Sequence, residues 1–272
     1  LNAHTIQHFY NGLRKKGLSP KTIKNIHGVF HEALQQAVMI GYLRVNPSEP
    51  CALPRVVKKD IKPLDDDAIR RFLEAVQGHR FELLYLVTLF TGLRKGEVLG
   101  LAWDRVDFDK GTLLIDRQLQ RAKDETGERR YSLVSLKNDR WRRITPADFV
   151  MDLLRRQRSC QAEWRLRAGP AWEDSGLVFT DELGKHLSPY TVYNNYKRLV
   201  ALIGRPDARV HDLRHTYAVA AIKSGDDIKT VQGNLGHATA AFTLDVYGHV
   251  TDQMKRDSAE RMQKFIKSVS GQ

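Results

Sequence analysis

A proline-rich, basic stretch divides this chain. Val45 to Lys62 holds Pro47, Pro50 and Pro54, with Pro63 just beyond, together with Arg55, Lys58, Lys59 and Lys62, and it shows no apolar periodicity. Proline removes a backbone donor and fixes φ, so neither a helix nor a central strand can run through such a segment. The chain is therefore expected to fold in two parts joined by a linker. The boundaries fall at residues 1–52 for a small helical part, 53–63 for the basic linker, 64–250 for a larger part, and 251–272 for an amphipathic tail helix.

The charge is unevenly shared between these parts. Residues 1–62 carry 10 Lys+Arg and 3 Asp+Glu, whereas the other 210 residues carry 34 and 29, which together make the net +12 of the whole chain. A polyanionic partner suits that balance, most simply nucleic acid. Cys51 and Cys160 lie far apart, match no metal-ligand spacing and read as reduced thiols. No apolar run approaches the ~18 residues that a membrane span needs.

In the small part, residues 4–16 and a longer run from Pro20 to about Gly41 read as helices, the second capped by Ser19 with Pro20 at its first position. Lys15, Lys16, Lys21 and Lys24 cluster at their junction, and with Arg55, Lys58 and Lys59 they form a candidate phosphate-tracking surface. In the larger part, Asp65-Asp66-Asp67 reads as a helix N-terminus with acids in its first turn rather than a metal site. The apolar run Phe81–Phe90 reads as a buried helix that stops at Thr91-Gly92-Leu93 and delivers Arg94 into the first turn of the next. From Val106 to Pro146 the period changes to short alternating runs, Thr112–Asp116, Arg129–Leu136 and Trp141–Thr145, which predict a small antiparallel sheet. Residues 137–140 would then be the turn of its last hairpin, with Lys137 at the tip. Ala147–Ala168 and Ser188–Ile203 read as helices, and Leu177–Thr180 as a short strand.

The chemistry concentrates between Val210 and Val250. His211 and Arg214, three residues apart where a helical pattern begins, share one face near a helix N-terminus, where the dipole favours an anion. A second helix, Asp226–Leu235, ends at Gly236 and presents His237, and Tyr247 follows ten residues later. A tyrosine hydroxyl titrates near ~10, so it serves as a nucleophile only among fixed cations and a proton acceptor. His215 reads as a packing or capping residue. A zinc site built from His211, His215, His237 and His249 lacks a tight ligand pair with a carboxylate.

Four boxes in this order, T-G-L-R-K-G-E at 91–97, H-D-L-R-H-T at 211–216, L-G-H at 235–237 and Tyr247, closely resemble those of the tyrosine recombinases of the phage-integrase family. The resemblance covers nearly the whole chain. It implies a multi-domain fold: a small all-α core-binding domain plus a mixed α/β catalytic domain, mainly helical with a small antiparallel sheet. It implies that Arg94 and Arg214 grip the scissile phosphate and that His237 adds a hydrogen bond. Lys137 then protonates the leaving 5′-oxygen, His211 assists proton transfer at the nucleophile, and Tyr247 attacks to give a 3′-phosphotyrosyl link. His249 would position the tyrosine. Asn138 and Trp141 stand where relatives often carry Thr and Ser, although Arg143 and Pro146 sit where expected, and Lys123 in the neighbouring loop is the other candidate acid.

The resemblance further implies site-specific recombination of duplex DNA at core sites by a dimer or tetramer, with no cofactor and no metal. Excisionase or host DNA-bending proteins would be accessory partners. The reaction would occur in the cytoplasm of a bacterial cell, for a phage or conjugative element rather than for resolution of chromosome dimers. Because the chain opens in mid-pattern at Leu1, an N-terminal arm-binding domain is expected to be missing from this sequence. Two other classes share parts of the pattern: a relaxing type IB topoisomerase, which would act as a monomer without site specificity, and a non-catalytic DNA-binding regulator, which would tolerate loss of the tyrosine hydroxyl.

Overall fold

The structure, a computed structural model, describes residues 1–57, 61–123, 127–136, 141–236 and 251–270, and it divides into two compact units, Leu1–Asp60 and Ile61–Gln272. Among the described residues, no helix is long and apolar enough to cross a membrane.

The small unit is built on α1 (Ala3–Lys15) and α2 (Pro20–Met39). Asn2 caps α1 by accepting from the Thr5 amide at 2.9 Å, and Ser19 caps α2 through the Thr22 amide at 3.1 Å, just ahead of Pro20. Ile6, Tyr10, Ile23 and Leu34 form its buried centre. The chain after α2 is not a free linker from Val45, as the prolines suggested. It folds back as far as Leu53, which packs with Leu43 and Cys51 against that centre. Buried Ser48 pairs its hydroxyl with His31 Nδ1 at 2.9 Å, and the Asn46 amide donates to the His31 carbonyl at 3.1 Å. The Ala52 amide donates to Gln7 Oε1 at 2.7 Å. Here Pro47 and Pro50 set turns whose polar groups find partners inside the unit, which is how irregular backbone becomes tolerable in a packed place.

In the larger unit, α3 (Asp66–Val76) begins as the acids predicted, with Asp65 accepting from the Ala68 amide at 2.7 Å and Asp66 and Asp67 in the first turn. Helix α4 (Glu82–Thr91) buries Leu84, Tyr85, Leu86, Val87, Thr88, Leu89 and Thr91, so apolar side chains surround it nearly all round, as expected of a central helix. It leads through residues 92–94 into the short α5 (Lys95–Leu99).

The strands β1 (Val106–Asp107), β2 (Thr112–Ile115), β3 (Arg117–Lys123), β4 (Arg129–Ser135) and β5 (Arg142–Ile144) form two sheets, not one. One has the order β1-β2-β5, and the other is the β3–β4 hairpin, with Leu119 opposite Leu133. The hairpin predicted between the last two strands is therefore corrected: β4 pairs with β3, and β5 pairs with β2. The alternating pattern marks strands but is silent about partners, and a seven-residue run, Arg117–Lys123, escaped it because polar residues dominate both its faces. Residues 177–180 form isolated bridges, Ala102 with Leu177 and Thr180 with His186, rather than a strand.

Helices α6 (Asp148–Ala168), α7 (Pro189–Leu202), α8 (Val210–Lys223), α9 (Ile228–Leu235) and α10 (Thr251–Ser270) complete the unit. Contacts of α4 with both α6 and α8 make it the axis of the core. On α10, apolar Met262, Phe265, Ile266 and Val269 are exposed.

Gly92 is the turning point between core and site. Its φ is +66°, and an added Cβ would lie 2.5 Å from Tyr217 Cδ1 and 2.6 Å from Leu235 Cδ2. Both the left-handed backbone and the close approach of α8 and α9 require glycine there. Gly92→Ala is expected to lower the stability of the larger unit by about 1–3 kcal/mol or more. All four tryptophans lie in that unit, so denaturation followed by tryptophan fluorescence reads it directly. A parental midpoint would contradict the packing described.

Candidate active site

Four segments meet at the C-terminal end of α9: the turn 92–97, β5, the first two turns of α8, and residues 234–236 themselves. The last carbonyls of a helix lack intrahelical partners and carry its negative dipole end, so they attract cations. Three successive carbonyls here each accept from a different arginine. Asn234 receives Arg142 Nε at 2.7 Å, Leu235 receives Arg214 Nη2 at 2.5 Å, and Gly236 receives Arg94 Nη2 at 3.2 Å.

Arg94 is the N-cap residue of α5, and the side chain of Glu97, three residues on, reaches back to hold it. Glu97 Oε2 accepts from the Arg94 amide at 2.9 Å, while Oε1 accepts from its guanidinium at 2.7 Å. The side chain of Arg94 remains 39% exposed, so part of its fork faces solvent. Arg214, by contrast, is 1% exposed and also donates to the Gly92 carbonyl at 2.7 Å. A guanidinium buried to this degree is held as a fixed charge rather than solvated.

Glu97 is wholly buried and also receives a bidentate pair from Arg142, at 3.0 and 2.7 Å. Burial alone would raise its pKa, but the hydrogen bonds and charge of Arg142, joined by the Arg94 amide and guanidinium, outweigh this and bring it down to about 2. The Glu97 carboxylate thus faces the guanidiniums of Arg94 and Arg142, and with Arg214 on the neighbouring carbonyl the cluster keeps a surplus of positive charge.

Each residue of the box at 211–216 has a separate duty. His211 keeps a solvent-facing edge beside the arginines, and its ring meets that of His215 edge-on at 4.8 Å. Asp212 caps α8 by accepting from the Arg209 amide at 2.8 Å. Leu213 enters the core, and Thr216 accepts from the Leu64 amide at 2.9 Å while donating to the Asp212 carbonyl at 2.8 Å. Partial desolvation and the Arg214 charge lower the pKa of His211. Burial, then the neighbouring His211, pushes His215 down to about 4, although Asp212 opposes the shift. Both imidazoles are therefore neutral near pH 7. His215 packs, as its position in the pattern suggested.

The structure thus brings together Arg94, His211 and Arg214. Lys137, His237, Tyr247 and His249 lie outside the described residues, as do Lys58 and Lys59. Lys15, Lys16, Lys21, Lys24 and Arg55 are exposed on the small unit. Two residues at the site were not singled out from the sequence, Glu97 and Arg142. The first could have been found from its place three residues after Arg94, the capping-box spacing. The second could have been found from the alternation of β5, which puts Arg142 on the inward face with Ile144 and leaves Arg143 outside. Among the described residues, no group of three metal-ligating side chains is placed to hold a metal ion.

A buried guanidinium, Arg214, and a partly exposed one, Arg94, on a helix end beside neutral imidazole are the equipment of an enzyme that stabilises charge on a phosphoryl group. The phage integrase family matches residues 62–254, and the chain belongs to that family. It is 33% identical over 272 residues to a tyrosine recombinase XerC-like protein of Caldanaerobacter subterraneus subsp. tengcongensis, a match spanning 94% of this chain and 69% of the relative. The ICEBs1 integrase of Bacillus subtilis is 25% identical over 267 residues, spanning 96% of this chain and 70% of its own length. Among solved structures, the fold is similar to that of the Tn1549 transposon integrase in complex with transposon right end DNA. That likeness has a TM-score of 0.78 at 22% identity and covers 97% of this chain and 86% of the other. A lambda integrase dimer bound to a core site is similar with a TM-score of 0.65 at 17% identity, covering 91% of this chain and 80% of the other.

The pKa shifts set a pH dependence. His215 titrates near 4 when folded against 6.5 ordinarily, so the unfolded chain takes up its proton first and stability is lost as pH falls from about 6.5 to 4. Glu97 contributes stability above about 4.5 that is lost toward 2. Tryptophan-monitored unfolding should therefore weaken below pH 6.5, by up to about 1.4 kcal/mol per pH unit from His215 alone. His215→Asn should flatten that limb, and an unchanged limb would show that the histidine is not held neutral.

Proposed function

We propose that this chain is a site-specific DNA recombinase that cuts and rejoins duplex DNA through a 3′-phosphotyrosyl intermediate. The observation that carries the reading is the convergence of Arg94 and Arg214 on adjacent carbonyls at the end of α9, beside neutral His211. Family membership supports the same chemistry.

In the proposed reaction the guanidinium groups of Arg94 and Arg214 hold the non-bridging oxygens of the scissile phosphate, joined by His237. The Tyr247 oxygen attacks phosphorus, and its proton passes to His211. The bond from phosphorus to the 5′-oxygen breaks, and Lys137 gives that oxygen a proton. The phosphate is then an ester of Tyr247, and the free 5′-hydroxyl of another strand reverses the steps to reseal DNA. Because the bond energy is kept in the protein ester, no ATP is consumed. Charge that builds on the equatorial oxygens is met by preorganised cations, so losing Arg94 or Arg214 should cost on the order of 10²–10³ in rate.

The substrate would be duplex DNA carrying core recombination sites, bound by a dimer or tetramer. The exposed apolar stripe of α10 suits docking on a neighbouring protomer. The setting would be the bacterial cytoplasm, and the element a phage or conjugative one.

The test is covalent trapping. A nicked suicide duplex carrying the candidate core site is incubated in EDTA with the parent and with Tyr247→Phe. An SDS-resistant adduct from the parent alone is expected. No adduct on verifiably bound duplex would favour the regulator, whereas adducts formed on any sequence by a monomer would favour the topoisomerase. Binding should also weaken steeply with salt, with a log–log slope near −0.9 for about each phosphate contacted, and a slope near zero would contradict binding through phosphates.

A further inference from the structure

We propose that Arg142 is a positioning residue of this site, a brace that sets Arg94 and the end of α9 in register without touching the substrate. The inference deepens the recombinase reading and rests on it for its catalytic consequence.

Arg142 lies in β5 at 9% exposure, facing inward beside Ile144. A guanidinium has five N–H donors in a planar fork, and here Nε, Nη1 and Nη2 are each committed to protein. Nε donates to the Asn234 carbonyl at 2.7 Å, Nη1 to Glu97 Oε1 at 3.0 Å, and Nη2 to Glu97 Oε2 at 2.7 Å. Each oxygen of Glu97 thereby holds one bond from Arg142 and one from Arg94, to its guanidinium at 2.7 Å or its amide at 2.9 Å. The plane of the carboxylate is fixed from one side by Arg142 and transmits that orientation to Arg94 on the other.

The same side chain also packs on the backbone that precedes His237. A Cβ added to Gly236 would lie 3.1 Å from both Cδ and Nη1 of Arg142. One side chain of β5 therefore fixes two things that phosphate chemistry needs together, the aim of Arg94 and the exit of the chain from α9. Lysine cannot reproduce this, because an ammonium lacks the fork that engages two carboxylate oxygens and a carbonyl at once. Arg143, one residue on, points the other way and is exposed, so the adjacent arginines have separate duties.

The test uses the whole chain with Arg142→Lys and Arg142→Met, read in two ways. The first is hydrogen exchange of segments 91–99 and 228–236, which is independent of activity. Both segments should exchange faster in Arg142→Lys than in the parent under native conditions, while segments of α3 and α7 keep parental rates. The second is the single-turnover cleavage rate of the suicide duplex. It should fall roughly 10–100-fold, the scale of a misplacement of about 1 Å, with DNA affinity within about threefold of the parent's. In Arg142→Met the acid limb of the cleavage rate should move to higher pH, because Glu97 loses its main cationic partner, a shift that general loss of packing would not produce. Should Arg142→Met not fold, Arg142→Lys decides. Parental exchange in both segments of Arg142→Lys overturns the brace, as does a parental cleavage rate. If the parent itself yields no adduct, the recombinase reading fails alone, and exchange still decides whether Arg142 braces the site.

Discussion

The larger unit depends on a cluster of like charges held together where they should repel. Arg94, Arg142 and Arg214 converge on the last three carbonyls around the end of α9, and Glu97 supplies a full negative charge between two of them. Partial charges of aligned peptide groups make this arrangement tolerable without cancelling it. The other buried carboxylate of these elements, Asp212, is bound by Arg209, through its amide at 2.8 Å and its guanidinium at 3.2 Å. The surplus cation is the property that turns a structural cluster into a receptor for phosphate.

Preorganisation explains why so much of the fold is spent on so few groups. Helix α4 is buried nearly all round, so its end at Gly92 is a rigid point from which Arg94 departs and whose carbonyl also receives Arg214. Helix α8 contributes Arg214 from its first turns, and Thr216 joins those turns to Leu64. The arginines are therefore placed by core packing before any ligand arrives, and little reorganisation is left for the reaction itself.

Local chemistry was legible in the sequence, and pairing was not. Ser19-Pro20, Asp65 with its acidic neighbours, and glycines at 92 and 236 announced helix ends correctly, because caps depend on a few adjacent residues. The boxes around Arg94 and His211–Arg214 were legible because spacing alone puts the side chains on a face. The sheet was misassigned because strand partners are chosen by contacts far apart in sequence: β5 joins β2 across the whole β3–β4 hairpin. The prolines at 47 and 50 were read as a linker because the buried hydrogen bonds of Asn46 and Ser48 to α2 cannot be seen in composition. Arg142 was passed over for a related reason, since its significance lies in Glu97 and Asn234, 45 and 92 residues away.

The donors and acceptors of this cluster differ in how they are encoded. Every carbonyl that receives an arginine, at Gly92, Asn234, Leu235 and Gly236, belongs to the main chain. No codon change can delete a carbonyl, so Asn234 and Leu235 are free to drift as far as their own packing allows. The arginines and Glu97 have no such shelter, because each is one substitution away from removal. Heritable damage to this site therefore falls almost entirely on its charged half, while the neutral half is copied faithfully by any sequence that still folds.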